Sequence, residues 1–300
     1  MQASSDLPTP SGREIALLTN PHAGRGRGAR HRDAVLPRLR ASGFTVRDLE
    51  GRDADEALDL AHGCVADGVE ALVVCGGDGM VNLGTQALAG TGVPLGVIPS
   101  GTGNDLARYV GLPRRDPLAA ADRVIASRTR TLDLGRSGDR WFVTVLAAGF
   151  DAVVNERANL MRWPRGQMRY NIATVAELRT FRPIPYALHL DDETVETEAM
   201  LVAVGNGPSF GGGLRITEGA ELDDGQLDVV VVGRMSKSKL VRSYPRLFTG
   251  AIDGVAEYTR HRVKQVTLAA PGIVAYADGE RFGALPLTVE CVPGALEVIA

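Results

Sequence analysis

The sequence of 300 residues has little cysteine, few aromatic residues and almost no net charge. Its three cysteines, Cys64, Cys75 and Cys291, are too few and too widely spaced for a disulfide framework or a zinc site, so a reducing cytoplasm is expected. A formal net charge of −3 lacks the basic excess typical of nucleic-acid-binding proteins, and we expect no nucleic-acid partner. The 44% hydrophobic content is sufficient for a sizeable core.

Three further absences exclude membrane-spanning, secreted and P-loop proteins. The longest uncharged stretch, 81–104, is interrupted by two prolines and several glycines, so it cannot span a bilayer. Residues 1–12 are polar and lack the apolar segment of a signal peptide, which predicts a disordered tail. No Walker A pattern is present, which excludes P-loop chemistry on motif grounds.

The chain after the tail has two halves with different hydrophobic patterns. Over 13–137, short apolar runs alternate with helical segments, which predicts an α/β domain with a parallel sheet. Over 138–300, strands follow one another with helices only near 165–181 and 236–248, which predicts a β-rich, sandwich-like domain. The extreme C-terminus could return to the first domain.

Three polar or glycine-rich loops, 20–24, 76–79 and 99–105, follow predicted strands of the first half. Ligands of parallel α/β sheets bind beyond the carboxyl ends of the strands, so the loops should gather at one edge. In 76–79, converging N–H groups and the N-terminus of the next helix favour an anion. Asp78 fits beside phosphate if Mg²⁺ or a hydroxyl lies between them, and the alternative is a tight turn with Asp78 as the N-cap.

The third loop repeats this design at the end of the next strand. Thr102 has a hydroxyl that can donate to phosphate, and Asn104 or Asp105 can cap the helix that follows. Asp105 could instead reach a metal-bound water. Two such loops on adjacent strands favour a phosphate site over helix capping alone.

The first loop permits a different interpretation. Gly24, Gly26 and Ala29 match the dinucleotide fingerprint G-x-G-x-x-A, and an acid, Asp48, lies near the end of the second strand. This pattern is typical of a nicotinamide or flavin oxidoreductase, which stays open as an alternative. The loop also contains two arginines, which suit phosphates of higher charge than a pyrophosphate diester.

Acids of the second half occur in two turn-like segments. Residues 219–226 include two adjacent aspartates and a glycine, which could hold a hard cation or form an ordinary hairpin turn. Asp278 ends an apolar run, and in a cleft facing the glycine loops it could act as a general base. A hairpin turn is again the alternative. The five histidines show no metal spacing and are interpreted as solvated.

These motifs, in this order, resemble the diacylglycerol kinase catalytic-domain family. The resemblance is to its soluble bacterial lipid kinase branch, and most closely to mycobacterial-type diacylglycerol kinases. It rests on the segments 76–79, 99–105, 219–225 and 278–280, with the blocks 157–164 and 209–214. It covers essentially the whole chain after the tail, with a nucleotide-binding α/β domain and a β-rich lipid domain.

The resemblance implies that ATP and Mg²⁺ bind at the glycine loops. The positions expected to contact the nucleotide are Asn20, Gly24, Arg25, Gly76, Gly77, Asp78, Gly79, Met80, Val81, Asn82, Gly101, Thr102 and Asn104. Departures from the family pattern are Met80 in place of Thr, Leu83 in place of Glu and Ala23 in place of Ser. The first of these removes a hydroxyl contact to phosphate, and Arg25 could take the role of a nearby lysine.

The resemblance also implies roles for acids. By this resemblance Asp278 is the expected proton acceptor. From the convergence of acids and phosphate loops we further expect Glu280 to be a secondary orienting acid, and Asp105 to join Asp78 in holding catalytic Mg²⁺ or its waters. A structural Mg²⁺ site is implied at the Asp224 side chain, with backbone carbonyls of Glu221 and Gln226.

The activity expected from the resemblance is transfer of the γ-phosphoryl of ATP to diacylglycerol, giving phosphatidic acid. Because the acceptor is a lipid, peripheral contact with the inner face of the membrane is expected, and segment 161–170 interleaves basic and amphipathic residues as interfacial segments do. Other acceptors, such as a sphingoid base, ceramide or NAD, and a non-catalytic sensor stay open. The sequence allows a homodimer but does not fix the oligomeric state.

Overall fold

The computed structural model describes residues 13–161, 163, 172, 176–177 and 181–300. The predicted tail, the predicted helix near 165–181 and most of the predicted membrane segment therefore lie largely outside the described residues. The described chain forms two compact units. Unit 1 comprises 13–102, Ala107–Arg130 and Glu297–Ala300, and unit 2 comprises Gly103–Leu106 and the described part of Thr131–Leu296. The predicted domain division near residue 137 stays a prediction.

Unit 1 is a parallel α/β layer. Its strands are β1 (Glu14–Thr19), β2 (Thr45–Leu49), β3 (Ala71–Gly76) and β4 (Leu95–Pro99), and its helices are α1 (Ala23–Ala41), α2 (Ala54–Ala66), α3 (Asp78–Leu88) and α5 (Pro117–Ala126), with α4 (Asp105–Tyr109) shared between the units. The strand order is β4-β3-β1-β2, all parallel. Every residue of β3 and β4 is buried, as expected for parallel strands covered on both faces.

Unit 2 is dominated by antiparallel strands. They are β5 (Thr129–Ser137), β6 (Arg140–Phe142), β7 (Val145–Gly149), β8 (Ile184–Leu190), β9 (Glu193–Gly205), β10 (Leu227–Gly233), β11 (Tyr258–Val263), β12 (Gln265–Ala269), β13 (Val274–Ala277), β14 (Glu280–Ala284) and β15 (Leu287–Ile299). The pairing order is β14-β13-β7-β9-β8-β12-β15, and β10 pairs with β9 and β11. Valine, leucine and alanine side chains of these strands form its main core. The predicted combination of a parallel α/β domain and a β-rich domain is confirmed.

In the described part of unit 2, three α-helices, α6 (Phe150–Leu160), α7 (Lys237–Ser243) and α8 (Arg246–Thr249), and a 3-10 helix (Ala251–Gly254) interrupt the strands. The predicted helix over 236–248 is divided into α7 and α8 near Pro245, since proline cannot donate the backbone hydrogen bond that a continuous helix needs. Among the described helices, none has the length and apolar character needed to cross a membrane.

The apolar run over 141–150 has the pattern of one continuous strand, but that prediction is wrong, because the structure divides the run. β6 ends at Phe142, β7 begins at Val145, and α6 starts directly after β7. The backbone N–H groups of Val143 and Thr144 donate to the carboxylate of Asp278 instead of to a neighbouring strand. A side chain distant in sequence therefore breaks the ladder at a point where the local pattern is continuous.

Candidate functional site

The three loops expected at one edge of the parallel sheet meet in unit 1. The N–H of Asn20 donates to the carbonyl of Cys75 at 3.1 Å, which joins the end of β1 to the end of β3. The N–H of Ser100 donates to the carbonyl of Gly76 at 2.7 Å, which joins the end of β4 to β3. Loops that follow three different strands thus share a hydrogen-bonded edge, as predicted.

The central loop leads directly into helix α3. Gly77 is the N-cap, with extended backbone angles, and Asp78 is the first helical residue, so the alternative interpretation of Asp78 as the N-cap is wrong. A Cβ at Gly77 would lie 3.0 Å from the Cα of Gly101, a tight contact, so glycine favours the close approach of these loops. Gly79 is exposed in the first turn of α3. The positive end of the helix therefore lies at the loop edge, where an anion is favoured.

Two of the positions expected to contact the nucleotide are packing residues. The N–H groups of Met80 and Val81 donate to the carbonyl of Gly77 at 3.0 and 3.1 Å, and both side chains are buried. Met80 covers Gly76, where an added Cβ would lie 2.2 Å from the Met80 Cγ. Methionine at this position therefore fills a gap over a glycine, whereas Asn82 stays half-buried.

The first loop has an unusual backbone. Gly24, Arg25 and Gly26 are all left-handed, with φ of 57°, 63° and 83°, at the start of α1. A Cβ at Gly24 would lie 2.0 Å from the carbonyl oxygen of Ser100, so this position has no room for a side chain. Arg25 adopts a conformation that costs a non-glycine residue about 1 kcal/mol, and its side chain is exposed. Strain of this kind clusters at binding sites.

Arg27 ties the first loop to the third. Its Nε donates to the carbonyl of Gly24 at 3.1 Å and its Nη2 donates to the carbonyl of Gly101 at 2.9 Å. The guanidinium is therefore engaged by backbone oxygens within unit 1. Of the two loop arginines, Arg25 has its side chain exposed and Arg27 holds the loops together.

The acid of the dinucleotide fingerprint is already engaged. Asp48 accepts a hydrogen bond from Arg32 Nε at 2.9 Å and forms an ion pair with the same guanidinium. In a dinucleotide enzyme this acid would hold a ribose hydroxyl. The arrangement therefore disfavours the oxidoreductase alternative.

The solvated interpretation of the histidines is wrong for His31. This side chain is half-buried on α1, and its buried Nδ1 has no hydrogen-bond partner. Desolvation lowers the pKa of His31, opposed by a bond with the backbone of Pro99. His31 is consequently neutral near pH 7.

In unit 2, Asp278 forms the turn between β13 and β14. Asp278 and Gly279 have φ of 50° and 89°, so the hairpin interpretation is correct for the backbone. The carboxylate is also held in place: Oδ2 accepts from the N–H of Val143 at 2.8 Å, and Oδ1 accepts from the N–H and the hydroxyl of Thr144 at 2.9 and 2.6 Å. The turn therefore presents a carboxylate fixed by three donors.

The neighbouring acid, Glu280, lies at the start of β14 with its side chain reaching solvent. Desolvation by surrounding protein atoms raises the pKa of Glu280, and the positive charge of Arg140 opposes that rise. The Arg140 guanidinium itself donates to the carbonyl of Arg281 at 2.9 Å and stacks over the ring of Phe282. Burial thus favours the protonated form of Glu280.

Asp105 is the buried acid of the third loop and belongs to unit 2. Its Oδ2 accepts from the N–H of Gly212 at 2.8 Å. Gly211, Gly212 and Gly213 are all left-handed, so the glycine run of block 209–214 bends the backbone toward this carboxylate. Asn104 is buried with φ of 54°, whereas Thr102, in unit 1, is exposed.

Sequence reasoning missed a third anchored acid, Asp133 on β5. It is only 5% exposed, and its two oxygens accept from the N–H groups of Gly294 and Gly225 at 2.8 and 2.7 Å. Its own N–H donates to the carbonyl of Leu222 at 2.6 Å. The available signal was an aspartate between two leucines in a strand, since a charged residue is rarely buried without partners.

In the turn expected to hold a structural cation, Asp224 pairs with an arginine side chain. Asp224 Oδ1 accepts from the N–H of Gln226 at 3.0 Å, and Oδ2 forms an ion pair with Arg262. Glu221 is exposed. Across the described residues, no three acids, histidines or cysteines cluster as a metal site. Because the Arg262 guanidinium already contacts the Asp224 carboxylate, these residues, as arranged, do not fit Mg²⁺. The Mg²⁺ site implied by the resemblance stays a prediction.

Comparison with known proteins agrees with this geometry. Residues 14–137 match the diacylglycerol kinase catalytic domain, and residues 144–300 match the YegS C-terminal NAD kinase beta sandwich-like domain. The chain is 45% identical to the diacylglycerol kinase of Mycobacterium tuberculosis over 95% of this chain and 94% of the relative.

Two solved structures share the fold. A diacylglycerol kinase from Bacillus anthracis has a TM-score of 0.77 at 25% identity, covering 97% of this chain and 98% of that chain. An NAD kinase from Archaeoglobus fulgidus, solved in complex with ATP, has a TM-score of 0.54 at 13% identity, covering 96% and 93%, and shows the fold alone. The resemblance predicted from the ordered motifs is confirmed, and the chain belongs to the diacylglycerol kinase family of enzymes.

Proposed function

We propose that the protein transfers the γ-phosphoryl of ATP to the hydroxyl of diacylglycerol and releases phosphatidic acid and ADP. The observation that carries this proposal is the hydrogen-bonded edge of unit 1, where three loops meet at the N-terminus of α3. The diacylglycerol kinase relative supports the acceptor, and the match to a kinase catalytic domain supports a nucleoside triphosphate as the phosphoryl donor.

The loops of unit 1 are suited to phosphate groups. The backbone at Gly76, Gly77 and Gly79 lies at a positive helix end, and the exposed Thr102 and Arg25 add a hydroxyl and a cation. The other nucleotide positions, Asn20, Gly24, Asp78, Met80, Val81, Asn82, Gly101 and Asn104, shape or border these loops. Asp78 and Asp105 are the proposed Mg²⁺ carboxylates. When bound with the nucleotide, Mg²⁺ would neutralise charge on the β- and γ-phosphate oxygens.

Asp278 is the proposed proton acceptor. As the acceptor oxygen bonds to the γ-phosphorus, the bond from that phosphorus to the bridging oxygen of ADP breaks, and the hydroxyl proton passes to the Asp278 carboxylate. The three donors from Val143 and Thr144 fix the orientation of this carboxylate, so little reorganisation is needed. Glu280 is the proposed secondary orienting acid.

The test compares two aspartates that have the same backbone role. Asp191, like Asp278, is left-handed in a hairpin turn and accepts backbone N–H groups, from Lys264 and Gln265. We expect Asp278→Asn to lower kcat roughly 100-fold, the scale of general-base catalysis, while Asp191→Asn leaves kcat unchanged. Thermal melting of both variants measures the structural loss separately.

Activity is measured with γ-labelled ATP and Mg²⁺, and with either mixed micelles containing diacylglycerol, ceramide or a sphingoid base, or NAD in solution. The labelled product is then identified. Phosphatidic acid as the main product supports the proposal. If another acceptor is phosphorylated faster, diacylglycerol is not the substrate. Full turnover in a folded Asp278→Asn variant would show that this carboxylate is not the base. A change in nicotinamide fluorescence on titration, without phosphoryl transfer, would favour the oxidoreductase.

A further inference from the structure

Helices α7 and α8 of unit 2 have apolar side chains on both faces. Leu240 and Leu247 pack inward against a core cluster of the unit. On the other side, Val241, Tyr244 and Phe248 are 52%, 41% and 56% exposed. The rings of Tyr244 and Phe248 stack edge to face, with centroids 5.7 Å apart. The outward apolar side chains form a patch that the core does not use.

The patch lies in a segment that has charge of one sign. Residues 229–252 contain no acid and five cations, which are Arg234, Lys237, Lys239, Arg242 and Arg246. Lys239 is neutralised by Glu257, and Arg234 makes a long ion pair of 3.4 Å with Glu198. Arg242 is exposed and makes no ion pair with any part of the chain that the structure describes. We call Lys237, Val241, Arg242, Tyr244, Arg246 and Phe248 the basic–aromatic face.

A cleft with a volume of about 980 Å³ continues from this face. Four cations line it, Arg182, Arg234, Lys237 and Lys239, together with one acid, Glu257, and several apolar side chains. The volume is ample for an anionic head group. The cleft shares Lys237 with the face and adds Arg182, while its Lys239 and Arg234 are paired with Glu257 and Glu198.

We propose that the basic–aromatic face docks on an anionic lipid bilayer. Aromatic and aliphatic side chains surrounded by cations are the combination that inserts at the head-group boundary of anionic membranes. The purpose of docking rests on the proposed function, because diacylglycerol resides in a bilayer. A second copy of the chain is a poorer occupant, since a two-fold interface would place like cations against one another.

The proposal is tested by sedimentation of the full chain with vesicles, without nucleotide or acceptor. One set of vesicles is phosphatidylcholine alone, and the other contains roughly 30% phosphatidylglycerol, which provides enough anionic lipid for electrostatic attraction. The triple variant Val241→Ser, Tyr244→Ser, Phe248→Ser should lose binding. The control Leu118→Ser, which removes a similarly exposed leucine of unit 1, should keep it. Arg242→Gln should lower the partition coefficient about fivefold, the equivalent of one cation near the surface.

A second measurement, of tryptophan fluorescence, tests whether the basic–aromatic face contacts the membrane. Phe248→Trp should show a blue shift of its added fluorescence with anionic vesicles, whereas Leu118→Trp should show none. Wild-type binding that is absent at low salt, or binding that survives in the folded triple variant, would overturn the proposal. So would concentration-dependent dimerisation, measured by sedimentation velocity, that the same three substitutions abolish. Because no turnover is needed, these outcomes are independent of whether the protein phosphorylates diacylglycerol.

Discussion

The polar loops of unit 1 and the acids of unit 2 are positioned by opposite means. In unit 1, glycines without side chains let loops 20–24, 76–79 and 99–102 approach closely, and backbone N–H groups lie at the positive end of α3. In unit 2, backbone N–H groups turn inward and fix the carboxylates of Asp105, Asp133 and Asp278. One unit presents backbone donors, and the other uses them to hold acids.

The difference agrees with the separate roles that the proposed function gives to the two units. A loop of backbone donors suits an anionic phosphate chain, whereas a carboxylate must be oriented to accept a proton or hold a cation. Substitutions in the two units should therefore fail for different reasons, loss of backbone shape in unit 1 and loss of a charged acceptor in unit 2.

The largest effect is expected in unit 2 at Asp133. Asp133→Ala leaves the buried N–H groups of Gly225 and Gly294 without their charged acceptor, so the free energy of unfolding should fall by about 4 kcal/mol. Urea denaturation measures this loss. The control Asp139→Ala, in an exposed turn, should change it by less than about 0.5 kcal/mol. If the two variants have equal free energies of unfolding, the buried N–H groups of Gly225 and Gly294 do not need Asp133 as their acceptor.

A smaller effect is expected in unit 1 from two glycines of the same loop. Both Gly24 and Gly26 are left-handed, but a Cβ at Gly24 would overlap the carbonyl of Ser100, whereas Gly26 faces open space. Gly26→Ala should therefore cost about 1 kcal/mol from backbone conformation alone. Gly24→Ala should cost about 3 kcal/mol because overlap is added, and it should also weaken ATP binding.

The two variants are compared by thermal melting and by calorimetric titration with ATP. Equal losses would mean that left-handed geometry, rather than close approach to the third loop, makes glycine necessary in this loop.

The smallest effect concerns the cation beside Asp224. Because Arg262 pairs with this carboxylate, we expect removal of divalent ions by a chelator to leave the melting temperature of the wild type unchanged. Arg262→Met removes the guanidinium, and millimolar Mg²⁺ should then stabilise the variant by about 1 kcal/mol through the vacated acid. Arg234→Met, which removes an exposed ion pair elsewhere in unit 2, should not gain a response to Mg²⁺. If a chelator lowers the melting temperature of the wild type, the predicted structural Mg²⁺ site is supported instead.

Much of unit 1 follows from the sequence, because its signals are local. Buried strands of continuous apolar residues end at glycine-rich turns, and the carboxyl ends of parallel strands share an edge, so the gathering of the loops follows from topology. The distinct tasks of the two loop arginines do not follow. Arg27 reaches the carbonyl of Gly101, 74 residues away, and no local pattern reveals that contact.

Less of unit 2 follows from the sequence, because its decisive contacts join distant segments. The break between β6 and β7 depends on Asp278, which lies 134 residues beyond Thr144. The burial of Asp133 depends on N–H groups from two separate turns. The turn at Asp278 and Gly279 can be predicted from the sequence, but the three donors from Val143 and Thr144 to the Asp278 carboxylate cannot.

The last strand, β15, has a consequence for synthesis of the chain. Its final residues, Glu297–Ala300, belong to unit 1, where Val298 pairs with Leu95 of β4 and Ile299 enters the core. Unit 1 therefore cannot be completed until the chain has been synthesised through residue 300, long after its other residues. Until then the nascent unit lacks the strand partner of Leu95, and deletion of residues 297–300 would damage the unit that is synthesised first.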